Sequence, residues 1–262
     1  MTARGLVVTA LVAALVACGE GGSDRGGRGA GADTIAEAAY TSRPGMSPYR
    51  EVELTGMGRL EGEVRLESSA RDTLILVTRN ADLCGERVAE GAIVAPQGGL
   101  MNVVVWLTDA REGKPFPDSR RFEVTNLRCR LDPRVQGVIV GGTLNVKSAD
   151  PVVHETVIRV SGVSEVLETV TQNGDGQVVP LEKVLARPVR LELSCRTHPW
   201  TQGWIHVFDH PYFVISAPNG RFVLDSIPPG EYTMQTWHER LGRTTREIKV
   251  ENGGITRVEV KY

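Results

Sequence analysis

Cys195 and His198 stand three positions apart in "LSCRTHPWTQGWIHV", residues 193–207, at the end of a strand-like run and before Pro-Trp. A thiolate and an imidazole so spaced can be aimed from one turn into one cavity. His154, in "SADPVVHETVIRV", opens another strand-like run and is placed to supply a second imidazole. Thiolate plus two imidazoles is a trigonal donor set for copper, because soft sulfur and borderline nitrogen together stabilise both Cu(I) and Cu(II). The expectation is therefore one copper ion held by His154, Cys195 and His198. The plain alternative makes His154 a polar strand residue and His198 a loop residue bonded to backbone. His206 alternates with Trp204 and Phe208 in "WIHVF", as a residue on a strand face does. His210 and His238 are candidate additional ligands; their plain reading is a domain interface, with His238 paired to Glu239 or a carbonyl. Trp200 and Trp204 are expected to pack around the loop and exclude water.

The start of the chain bears on what a thiol can do. Arg4 precedes an apolar run over residues 5–17, broken only by Thr9, and "LVACGE" follows. This reads as a secretory signal, too short to span a membrane. "LVAC" also matches the bacterial lipobox, whose cysteine, here Cys18, becomes the lipidated first residue. The expected location is the cell envelope, with a lipid anchor facing periplasm or exterior. Residues 19–50 are Gly-rich and poor in large apolar side chains, which suits a flexible tether. With Cys18 lipidated, Cys84, Cys129 and Cys195 remain, and an oxidising compartment favours pairing. Cys84 and Cys129 sit beside turn-forming residues, and a bridge between them would close a loop of about 45 residues, worth roughly 4 kcal/mol. Cys195 is then the leftover thiol, of the kind kept buried or used as a metal thiolate.

The elements that must position these side chains are strands. "GRLEGEVRL", "LMNVVVWLTD", "GVIVGGTLNVKS", "HETVIRV", "RPVRLELS", "GWIHVF", "GRFVLDS", "EYTMQTW" and "ITRVEVKY" are short runs, several of them alternating, separated by Gly, Pro, Asn and Asp. No long helical stripe competes, so the class is all-β, one sandwich or two in series. Turns crowd together after Asp209–Tyr212, which suggests a boundary there. The expected division is 1–18 signal, 19–50 tether, 51–210 first sandwich and 211–262 second. A net charge of −2, with no basic block, excludes nucleic acid as a natural partner. Neither a His-Glu-x-x-His helix nor a Gly-x-Ser-x-Gly elbow occurs, so hydrolysis has no support and no enzyme is expected.

Two family resemblances follow from these residues. "CRTHPWTQG" resembles the ligand loop of small cupredoxins of the amicyanin and plastocyanin kind, which read Cys-x-x-His and then an axial Met. "GGTLNVKSADPVVHETV" is similar to the cupredoxin segment that carries the first histidine. The resemblance covers about residues 135–207 and implies His154, Cys195 and His198 as equatorial copper ligands. It places Thr201 at the axial position, and Thr is a hard, short, poor copper ligand. Residues 212–262, with "GRFVLDSIPPGEYTMQTWHE", resemble the carboxypeptidase regulatory-like domain, a transthyretin-type β-sandwich that is structural rather than catalytic. Together they imply a membrane-tethered copper protein that passes single electrons or holds copper, with an unidentified redox or copper-exchange partner. The rival is a structural or ligand-binding surface lipoprotein with a degenerate metal site.

Overall fold

A computed structural model describes residues 48–262; the signal, Cys18 and nearly all of the tether fall outside these residues. The described residues form two β-sandwiches, and helix among them is confined to single turns such as Ala81–Cys84. No helix among the described residues is long and apolar enough to cross a membrane.

The sandwich that carries the metal-type residues has a five-stranded sheet ordered Val166–Gln172, His154–Val160, Val189–Cys195, Gln202–Phe208, Val135–Ile139. Against it lies a four-stranded sheet of Val178–Leu181, Thr143–Ser148, Arg121–Leu127 and Arg130–Asp132. Alternation explains the packing. In Thr143–Ser148, Leu144 and Val146 are buried while their neighbours are only partly so, and they meet Ile158, Leu191, Leu193 and Ile205 of the facing sheet in one core.

The second sandwich corrects the expected boundary. Residues 211–262 do not close on themselves, because Phe213–Ile215 and Gly230–His238 both pair with Val104–Leu107. Arg221–Ile227 and Ile255–Lys261 likewise flank Gly58–Arg65. The outer sandwich is therefore built from both ends of the described chain, and the sandwich of residues 121–208 is inserted between its strands. Alternation names the buried face of a strand but not its neighbour, and Val104–Leu107 shows why the neighbour matters. All four of its residues are buried. Val105 and Leu107 enter the outer core with Leu60, Tyr212 and Met234, while Val104 and Trp106 face Val135, Ile139 and Phe208 at the junction of the two sandwiches. A strand apolar on both faces needs cover on both.

One excursion of the outer sandwich reaches the metal-type residues. The hairpin Leu74–Leu76 with Arg87–Ala89 encloses the turn Ala81–Cys84. Val77 and Val88 pack with Cys129 and Trp200 of the inserted sandwich, and Cys84 is disulfide-bonded to Cys129 with Cα atoms 5.6 Å apart.

Candidate metal centre

Sheet register builds the site. Cys195 ends strand 189–195 directly opposite Thr156 of strand 154–160. Paired residues project from the same face, and His154 lies two positions from Thr156, so His154 and Cys195 share that face. His198 comes from the short connection between strands 189–195 and 202–208. That connection is closed by Thr201 N–H donating to the His198 carbonyl (2.9 Å) and Cys195 N–H to the Thr201 carbonyl (3.3 Å). Arg196 N–H also donates to the Glu155 carbonyl across the sheet (2.9 Å).

The three donors meet. Cys195 Sγ lies 3.8 Å from His154 Nδ1 and 3.7 Å from His198 Nδ1, and the two Nδ1 atoms are 3.2 Å apart. All three residues are buried. The far side of each ring has a hydrogen-bond acceptor: Asp150 Oδ2 is 3.0 Å from His154 Nε2, and Asn80 Oδ1 is 3.1 Å from His198 Nε2. An acceptor at Nε2 favours the proton there and leaves the Nδ1 lone pair aimed at the cluster, the orientation a ligand imidazole needs. Asp150 is itself fixed by the N–H groups of Arg128 (2.7 Å) and Cys129 (2.8 Å).

The sulfur is tuned for the same role. Burial alone pushes the Cys195 thiol up, but contacts from His154, His198 and Thr197 and the Glu155 peptide outweigh it and bring the thiol down to about 5. Thr197 accepts from Glu155 N–H (3.1 Å), which leaves its hydroxyl proton for Sγ at 3.5 Å. A thiolate and two imidazoles held with Nδ1 toward it fit copper, and a buried trigonal set of this kind is closed enough to hold it.

The other candidate ligands are elsewhere. Thr201 does not turn its hydroxyl to the cluster; it donates to the Cys129 carbonyl. The spacing that suggested an axial ligand set only chain position, and a nearby carbonyl captured the side chain. His210 Nδ1 accepts Tyr212 N–H (3.1 Å) and its ring packs on Phe208, whereas His238 Nδ1 accepts Arg240 N–H (3.2 Å). Neither belongs to a donor cluster among the described residues. Glu239, one of the two expected partners of His238, is taken by Arg134 in two hydrogen bonds (2.6 and 2.7 Å) and by Trp204 Nε1 (3.1 Å). Trp204 thus lies at the junction, stacked edge-on to Trp237, and does not cover the loop. Trp200 does: its ring meets His198 edge-on at 5.3 Å and its Nε1 donates to the Cys129 carbonyl (3.2 Å).

Sequence reasoning passed over Asp150 and Asn80. Asp150 carried a faint signal, a carboxylate four positions before a candidate ligand. Asn80 carried none, since it is 118 residues from His198.

No protein-family model matches the chain, and no curated protein matches it. Among solved structures, the Cu-containing nitrite reductase of Thermus scotoductus is similar at 22% identity and TM-score 0.29, over 37% of this chain and 23% of that one. Amicyanin from Paracoccus versutus is similar at 13% identity and TM-score 0.30, over 36% of this chain and 85% of that one. The chain thus spans under a quarter of the nitrite reductase. At these values the likenesses assign no function.

Proposed function

We propose that this protein is a copper-binding protein of the cell envelope, tethered by lipid at Cys18, that holds one copper ion at His154, Cys195 and His198 without catalysing a reaction. The observation that carries the reading is the convergence of Cys195 Sγ and two Nδ1 atoms, each ring backed by an acceptor at Nε2. Holding copper is favoured over passing electrons by the cover of the site. His198 is buried and its outer nitrogen is engaged by Asn80, so no ligand edge is presented to a redox partner. Single-electron transfer is the second reading, supported by the hydrogen-bonded ring positions, which would keep the same ligand geometry in both oxidation states.

The test is to load the detergent-extracted protein with Cu(II), measure metal content and record the visible spectrum. A thiolate-to-copper charge-transfer band with one equivalent bound is expected. A colourless protein that binds no more copper than the Cys195→Ser variant would leave the structural, ligand-binding lipoprotein as the reading. Slow reduction by small electron donors, quickened by Asn80→Gly, would favour holding; fast reduction in both proteins would favour electron transfer.

A further inference from the structure

A second donor set lies beside the first. Ligand atoms of Cys84, Cys129 and His198 are all within 4.8 Å of one another. In the disulfide the two sulfurs offer no thiolate to a metal. Reduced, they would supply two thiolates next to an imidazole, a softer set than the first and one suited to Cu(I). We propose that Cys84, Cys129 and His198 form a reduction-gated Cu(I) site, with the disulfide as its closed state.

The surroundings give a reductant a way in. Cys129 is fully buried, whereas Cys84 is partly exposed and lines a cavity of about 610 Å³. Arg87, Arg128 and Arg130 also line it, along with Glu90 and Asp132. None of these three guanidinium groups has a carboxylate partner among the described residues. Positive charge at the mouth draws an incoming thiolate and supports the thiolates released there. The reductant is a dithiol. One of its thiolates attacks Cys84 Sγ, the sulfur–sulfur bond breaks, and its electron pair leaves on Cys129 Sγ. The second thiolate of the reductant then displaces Cys84 from the mixed disulfide. The dithiol departs oxidised by two electrons, and its two protons balance the two new thiolates.

His198 links the two sets. Its Nδ1 faces His154 and Cys195, while its Nε2 lies against Asn80 at the edge of the turn that ends in Cys84. The disulfide also secures that turn, so reduction both creates the donors and frees the segment covering His198. Copper could then pass between sets that share one ring.

The experiment uses the Cys195→Ser protein, which removes the first site's thiolate and separates this inference from the proposed function. It is titrated anaerobically with Cu(I) against a chromophoric chelator, oxidised or after reduction by a phosphine that is then removed. The reduced form is expected to take up one equivalent more than the oxidised form. Adding Cys84→Ser should abolish the difference, and adding His198→Ala should weaken the uptake by at least about tenfold. Equal uptake by both forms, indifference to His198→Ala, or loss of the β-sheet circular dichroism on reduction would each overturn the site. A colourless Cu(II)-loaded wild type would count against the first site alone.

Discussion

All five histidines of the chain lie in the described residues, and all are buried, yet they divide into two groups with opposite chemistry. His154 and His198 turn Nδ1 toward a thiolate and rest Nε2 on an acceptor. His206, His210 and His238 lie at or beside the junction of the sandwiches, among aromatic rings. His206 sits 4.6 Å from Trp237 and 6.2 Å from Trp106, and His210 is 5.6 Å from Phe208. Burial pushes all three below the ordinary histidine range, His210 to about 4. Burial alone therefore does not make a ligand. What separates the groups is convergence on sulfur and an outer acceptor that fixes which nitrogen is free.

The largest break in this comparison is removal of the sulfur. Cys195→Ser should abolish the visible band and reduce copper affinity by more than the roughly 10–100-fold lost with an outer partner. Metal analysis and the spectrum check it together. Asp150→Asn comes next, because it weakens the acceptor on His154 while keeping its shape. Copper affinity should fall about 10-fold, up to 100-fold, in a competition titration, with the band retained. An unchanged affinity would mean that Asp150 serves only the Arg128 and Cys129 backbone.

The junction group should answer to pH instead. A histidine whose folded value lies below its unfolded value of about 6.5 leaves the unfolded chain binding more protons. Its stability contribution is complete above about 6.5, declines as pH falls, and levels off below about 4 for His210. Urea midpoints of the metal-free protein should drop across that window, and His210→Gln should flatten part of the drop. A slope equal in both proteins would place the titration elsewhere. The smallest effect is expected at Thr201. Thr201→Val loses the hydrogen bond to the Cys129 carbonyl, which Trp200 Nε1 still pairs, so the cost should be only about 1 kcal/mol, with copper stoichiometry and absorption unchanged. A shifted band would return Thr201 to the metal.

What was legible in the sequence was local. Alternation in "TLNVKS" and "HETVIRV" gave strands with the right faces, and Cys195-x-x-His198 at a strand end gave two donors from one turn. That His154 belongs with them was carried by the cupredoxin resemblance, since neither segment shows that strands 154–160 and 189–195 pair. Partnership at a distance was not legible. Nothing in "VVVWL" says that its neighbours are Phe213–Ile215 and Gly230–His238. Asn80 reaches His198 only because the turn before Cys84 is carried to the site by the hairpin it interrupts. Thr201 and Trp204 misled for the same reason: position in the chain placed them near the site, and Cys129 and Glu239, distant in sequence, captured their polar atoms.

The insertion of one sandwich between strands of the other also sets an order of assembly. Strand 104–107 must find strand 213–215 across an intervening stretch of about 100 residues, whose closure as loose chain is entropically expensive. Once residues 121–208 have folded, only residues 108–120 and 209–212, 17 in all, remain as loose chain between the two strands, lowering the closure cost by about 1.6 kcal/mol. The inserted sandwich is then the template on which the outer sandwich closes. A mutation that delays its core should appear first as unpaired edges in strands 58–65 and 104–107, where aggregation would begin, far from the residue changed.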